Sequence, residues 1–147
     1  MTVDLPDLAA MEAFGARIGA RLRAGDVVAL EGDLGAGKTT LARAILMALG
    51  HSGEVPSPTF TIIETYAAPP LRLPVVHADF YRLEDPAELR ELGLDEYREG
   101  AALIAEWPAH AGGFGQEPAC LEITLETVGQ GRRAIVEPGT DWLERMP

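Results

Sequence analysis

The sequence predicts an α/β fold with a sheet of mixed strand direction, and three observations predict it. First, an apolar run, Val27-Val28-Ala29-Leu30, leads into a glycine-rich loop and then into a helix-forming stretch from Leu41 to Leu49. Second, two more apolar segments end in an acid: Val75-Val76-His77-Ala78-Asp79 and Ala102-Leu103-Ile104-Ala105-Glu106. Runs of that length read as buried strands. Third, Cys120 to Glu126 alternates, with Leu121, Ile123 and Leu125 on one face. Gly129-Gln130-Gly131 then turns the chain into a partner strand from Arg133 to Glu137, a hairpin. Strand, loop and helix imply a parallel core, and the hairpin adds antiparallel strands to it.

The elements follow in order. Residues 6–23 predict a first helix, because Leu8, Met11, Phe14, Ile18 and Leu22 recur at three- and four-residue steps. Pro6 suits an early helical position and Gly25 the stop. The loop helix ends near Gly50. Pro56-Ser57-Pro58 favours extended backbone. Thr59 to Tyr66 is β-branched and aromatic and reads as a strand. Ala67 to Pro74 carries three prolines and is a connection. So short a link makes the strands on either side, the second from Val75 to Tyr81, antiparallel neighbours. Asp85-Pro86-Ala87-Glu88 starts a short helix that Gly93 ends. Pro108 stops the strand from Ala101 to Trp107, and 109–118 is a loop. Thr140 caps a last short helix carrying Trp142 and Leu143. Internal repeats and low-complexity tracts are absent.

The 147 residues suit one domain, 1–147. An apolar fraction of 47% is ordinary for a globular chain. No run is apolar enough for long enough to span a bilayer, and Asp4, Pro6 and Asp7 break any secretory leader, so a cytosolic location is expected. Cys120 is the one cysteine. It allows no internal disulfide and no cysteine-based metal site, and it reads as a small apolar side chain in a strand. The formal net charge of −11 repels phosphate backbones, so stable binding of nucleic acid by this chain alone is not expected. A site shared with a basic partner stays open.

Residues 32–40, Gly32-Asp33-Leu34-Gly35-Ala36-Gly37-Lys38-Thr39-Thr40, match the phosphate-binding pattern G-x-x-x-x-G-K-[ST]. Its glycines let successive backbone N–H groups face a phosphate, and the next helix adds its positive end. Lys38 is then placed to reach β- and γ-phosphates, and the hydroxyl of Thr39 to meet Mg²⁺. A mere glycine-rich turn at the head of a core helix leaves the Lys-Thr pair unexplained. The expected fold is thus a P-loop nucleotide-binding sandwich.

Phosphoryl transfer also needs a carboxylate for the metal and a group that orients the acceptor. The acids closing the two apolar strands, Asp79 and Glu106, are the candidates. Mg²⁺ is assigned to Glu106 because its strand is the more completely apolar, and Asp79 to the γ-phosphate or attacking water, although the roles can be exchanged. His77 shares Asp79's face. It can orient Asp79, against the plainer reading of a packed histidine. Arg82 can neutralise phosphoryl charge or form a surface ion pair with Glu84 or Asp85. Trp107 can stack on a base or a partner, or simply pack in the core.

These segments resemble the TsaE family, bacterial ATPases required for making threonylcarbamoyladenosine in tRNA. The resemblance rests on residues 32–40 together with Ser57-Pro58-Thr59-Phe60, His77-Ala78-Asp79-Phe80-Tyr81-Arg82-Leu83, Asp85-Pro86-Ala87-Glu88-Leu89 with Gly93-Leu94, and Glu106-Trp107-Pro108. It spans roughly residues 6–110. It implies an ATP- and Mg²⁺-dependent ATPase, weak alone, that works with TsaB and TsaD and meets tRNA only through them. TsaD carries the transferase chemistry, on the adenosine beside the anticodon in tRNAs reading codons that begin with A. The resemblance also implies that Thr59 senses the γ-phosphate. It puts the first helix near Asp7, and the late hairpin at Gly131 and Arg132, beside the base. Two other readings stay open. A small P-loop kinase would need a second pocket and a basic lid, for which the loops are short. The other is a switch that binds ATP and barely hydrolyses it.

Overall fold

Alternation along the apolar strands decides which layer each residue enters. In the computed structural model, which describes residues 1–58 and 62–147, strand β2 (Val27–Glu31) sends Val28 and Leu30 to one face of the sheet and Val27 and Ala29 to the other. Strand β5 (Ala102–Glu106) does the same with Ala102 and Ile104 against Leu103 and Ala105. Apolar side chains on both faces require cover on both faces, so the sheet is the middle of three layers. Helices α1 (Leu8–Arg21) and α2 (Lys38–Ala48) cover one face with Phe14, Ile18, Leu41 and Ile45. The other face is closed by Phe80, Phe114 and Leu94, the last from the short helix α4 (Leu94–Arg98) that follows α3 (Glu88–Leu92).

Among the described residues the sheet has seven strands. With β1 at Thr2–Leu5, β3 at Ile63–Tyr66, β4 at Val75–Asp79, β6 at Cys120–Val128 and β7 at Gly131–Pro138, the order is β1-β7-β6-β2-β5-β4-β3. The central strands β6, β2, β5 and β4 run parallel, and the flanking pairs β3·β4, β6·β7 and β1·β7 are antiparallel. The mixed sandwich expected from the sequence is therefore what forms.

Local departures have local causes. The first helix starts at Leu8 instead of residue 6, because the Asp7 carboxylate accepts from the Ala10 N–H, so that Pro6 lies before the cap. Strand β1 carries no signal of its own; it forms by pairing Thr2–Leu5 with Arg132–Ile135. The strand expected to run to Tyr81 ends at Asp79, whose carboxylate accepts from the Tyr81 N–H and turns the chain. Asp85 accepts from the Ala87 N–H ahead of α3, and Gly93 at φ 72° ends it, but a further helix, α4, follows at once. The last segment is a single 3-10 turn, Thr140–Trp142, with no side-chain cap from Thr140; Trp142 is buried and Leu143 exposed. Cys120 is a buried strand residue. Of the expected strand from Thr59 to Tyr66, Ile63–Tyr66 forms, and residues 59–61 lie outside the described ones.

Candidate nucleotide-binding site

Strand β2 delivers the glycine loop to the carboxyl edge of the parallel strands, where open α/β sheets place their ligands. Two glycines are required by shape. Gly32 has φ 145°, and a side chain there would meet the Leu125 carbonyl at 2.6 Å. Gly37 caps α2 in the left-handed region at φ 105°. Lys38 is the first residue of α2 and is 5% exposed. Its ammonium donates to the carbonyls of Gly32 at 2.5 Å and Asp33 at 2.9 Å. It also lies 4.3 Å from the centre of the Trp107 ring. Burial pulls the Lys38 pKa below its usual value, against the opposing pull of Glu106, Asp79, Glu31 and Asp33.

The register of the parallel strands ranks the two acids. Glu106 ends β5, beside β2, and pairs with Leu30. Asp79 ends β4, one strand further out, opposite Glu106. Adjacent strands lie about 4.8 Å apart, so Glu106 is one step from the loop strand and Asp79 two. The Thr39 hydroxyl accordingly donates to the Glu106 carboxylate, at 2.9 and 3.1 Å from its two oxygens. A hydroxyl and a carboxylate side by side are hard oxygen donors. They are too few for an all-protein cage, a donor set that suits Mg²⁺ with its remaining positions filled by water and phosphate oxygens. Among the described residues no group of three or more His, Cys, Asp or Glu is arranged to hold a metal.

Two cavities meet at Gly37 and Thr40. One, of about 300 Å³, is walled by Lys38, Thr39, Ser57, Asp79, Glu106 and Trp107. The other, of about 200 Å³, lies between α1 and the β6–β7 hairpin, against Asp7, Met11, Gly131 and Arg132. Leu34, Gly35, Gly37, Lys38, Thr39 and Thr40 of the loop thus line these adjoining cavities with Asp79, Glu106, Asp7, Gly131 and Arg132, whereas Gly32, Asp33 and Ala36 face Thr124–Thr127 instead. Thr59 lies outside the described residues.

Three side chains make contacts that the sequence left open, and His77 is packed and hydrogen-bonded as its plainer reading had it. His77 faces Glu106, not Asp79: its Nε2 lies 2.6 Å from Glu106 Oε2. Trp107 is not a core residue. It takes a left-handed backbone at φ 54°, lies against Tyr81 at 4.9 Å between ring centres, and turns a ring face to Lys38. Arg132 lines the smaller cavity but has its guanidinium committed to the loop itself, donating from Nε to the Ala36 carbonyl at 3.0 Å and from Nη2 to that of Gly35 at 3.1 Å. Strand parity gives the face of His77, and the β4–β5 register then sets it diagonal to Glu106. Nothing local could have found the contacts of Arg132.

A family model described as "Threonylcarbamoyl adenosine biosynthesis protein TsaE" matches residues 5–135 of the chain. A Bacillus subtilis (strain 168) protein named "tRNA threonylcarbamoyladenosine biosynthesis protein TsaE" is 45% identical over 112 residues, covering 76% of this chain and 68% of that protein. Proteins of the same name are similar in Synechocystis sp. (38% over 109 residues, 71% and 68% covered) and Mycobacterium bovis (42% over 113 residues, 72% and 67% covered). The solved structure titled "Crystal structure of Bacillus subtilus YdiB" superposes with a TM-score of 0.76 and 33% identity, over 97% of this chain and 88% of that one.

Proposed function

Because the chain belongs to the TsaE family of tRNA threonylcarbamoyladenosine biosynthesis proteins, we propose that it is the ATP-binding and ATP-hydrolysing member of that machinery. In this reading residues 1–147 form one P-loop ATPase domain. The single observation that carries it is the Thr39–Glu106 pair beside Lys38 at the mouth of the parallel sheet. A glycine turn serving only as a helix cap has no use for a buried ammonium, a hydroxyl and a carboxylate converging on one cavity.

Each residue then has a task. The loop N–H groups from Asp33 to Thr40 bind the phosphates, and Lys38 exchanges its loop carbonyls for β- and γ-phosphate oxygens. Thr39 and Glu106 hold Mg²⁺, which when bound neutralises charge on the transferring phosphoryl group. Asp79 orients the attacking water. Arg132 keeps the loop open for the phosphates by tying down its carbonyls. The base occupies the cavity between Asp7 and Gly131. Glu31, Asp33, Asp79 and Glu106 together make the metal-free cleft hostile to a polyphosphate, so ATP enters as its Mg²⁺ complex.

Acting in the cytoplasm with TsaB and TsaD, the chain contributes no tRNA grip of its own, in keeping with its net charge of −11. On the family resemblance, Thr59 senses the γ-phosphate. No described helix is long and apolar enough to cross a membrane. The test is phosphate release from the purified protein with and without TsaB and TsaD, with tRNA modification scored in the same tube. Release that rises with the partners and vanishes in Lys38→Ala supports the reading. Modification that proceeds at full rate with Lys38→Ala sinks it.

A further inference from the structure

The geometry points to His77 as a positioning residue that anchors Glu106 through Nε2, so that this carboxylate faces Thr39 and the Mg²⁺ position. The inference rests on the nucleotide-site reading above. His77 is the third residue of β4, and the β4–β5 register sets Asp79 opposite Glu106. His77 therefore lies two residues below Asp79 on the same face, diagonal to Glu106. Its ring is fully buried and Nε2 is 2.6 Å from Glu106 Oε2. A carboxylate only accepts, so Nε2 is the nitrogen that carries the proton.

The other ring nitrogen, Nδ1, is buried with no hydrogen-bond partner among the described residues. Buried polar atoms without partners are uncommon and unfavourable. A residue filling space at this position would do better as an apolar side chain. The orphaned nitrogen makes sense if the ring is kept for the bond it makes on its other side. Glu106 has a reason to need that bond. It is 2% exposed and attracted to the buried ammonium of Lys38 in the same cavity. Held from behind by His77 and from the front by Thr39, it stays turned toward the position a cation would take. Hydrogen-bond partners behind a metal-binding group tune its affinity in this way, commonly by about 10- to 100-fold.

The test compares His77→Gln, His77→Asn and His77→Leu with the unaltered full chain. A Gln amide can reproduce the Nε2 donor, whereas an Asn amide reproduces only the Nδ1 position. ATP binding is titrated calorimetrically in EDTA and across a Mg²⁺ series, alongside thermal melting. The expected result is metal-free ATP affinity within about threefold of the unaltered chain in every variant. The Mg²⁺ concentration for half-maximal tightening rises about tenfold in His77→Asn and His77→Leu and much less in His77→Gln. If His77→Leu does not fold, the Gln–Asn contrast carries the result. Equal behaviour of Gln and Asn, or a loss of affinity equal with and without Mg²⁺, overturns the inference. If the unaltered chain gains nothing from Mg²⁺, the nucleotide-site reading itself falls and takes this one with it.

Discussion

Among the described residues, two clusters of charge largely withdrawn from water are built to opposite ends. At the base of β2, Asp26 and Arg145 form a closed set. The Arg145 guanidinium donates to both Asp26 oxygens, at 2.5 and 2.6 Å, and to the Arg21 carbonyl at 2.8 Å, while the Arg23 N–H also donates to Asp26. Arg145 further stacks 4.0 Å above the Trp142 ring. At the other end of the same strand, Lys38, Glu106 and His77 are buried beside Asp79 but do not close on one another in this way. Lys38 bonds neutral carbonyls instead of a carboxylate, three further acids crowd it beyond Glu106, and one histidine nitrogen has no described partner. A closed pair staples the chain end to the sheet; an open cluster keeps affinity in reserve for a ligand. Within the staple, Arg145 and Trp142 lie outside residues 5–135 matched by the family model and Asp26 inside them, whereas the whole open cluster lies within them.

Breaking the staple should give the largest effect. Asp26→Ala leaves a buried guanidinium without its partner, and loss of one member of such a pair costs about 3–5 kcal/mol. At this chain length the melting temperature should fall by roughly 10 °C. ATP affinity per folded molecule should be unchanged, and calorimetry alongside the melt checks both. A double-mutant cycle with Arg145→Ala should recover most of the loss as coupling. If Asp26→Ala weakens ATP binding instead, the two clusters are not independent.

Lys38→Ala is the mirror experiment. Losing a charge-assisted contact of about 2–3 kcal/mol should weaken binding of ATP·Mg²⁺ by about 100-fold with little change in melting. Undiminished affinity would remove the loop from the binding site. A smaller effect on binding and a selective one on turnover is expected from Asp79→Asn and Glu106→Gln. The shapes persist and the Asp79–Tyr81 turn keeps its acceptor. Hydrolysis should slow by about 100-fold while unfolding free energy stays within about 1 kcal/mol. Glu106→Gln alone should also flatten the Mg²⁺ dependence of binding. Loss of stability with turnover per folded molecule intact would class both acids with the staple.

The smallest effect tests an uncharged neighbour. Burial, with help from Glu122 and Glu117, pushes the Cys120 thiol up to about 12 from 9.0. A folded pKa above the unfolded one favours the native state at neutral pH. That stability is lost as pH rises from about 9 towards 12, because the unfolded chain releases its proton first. Urea unfolding of the protein and of Cys120→Ala across pH 8–11 should therefore converge in stability as pH rises. Parallel curves would mean that Cys120 titrates normally.

How much of this was legible without coordinates depends on the range of the signal. The glycine loop, α2, the alternation of β6 and the acids closing β4 and β5 are each encoded in a dozen residues or fewer, and all are found where pattern and spacing put them. The choice of Glu106 over Asp79 as Thr39's partner follows from strand order, which no single segment contains. The partner of His77 was half visible: parity gave its face, but only the β4–β5 register turned it to Glu106 and away from Asp79. The place of Trp107 stayed open between stacking and core packing because its left-handed backbone carries no residue signature, Trp being an uncommon choice there.

By itself, then, the sequence determined a phosphate loop between a buried strand and a helix, and two acids at the ends of apolar strands. Those are consequences of local backbone preference and of the two-residue and 3.6-residue periods. Only the tertiary structure decided that β1 exists, that Arg132 holds the carbonyls of a loop almost a hundred residues earlier, and that Arg145 closes on Asp26. Each of these joins segments that have no local preference for one another. They meet because the strand order places them side by side and because buried donors and acceptors must be satisfied where they meet.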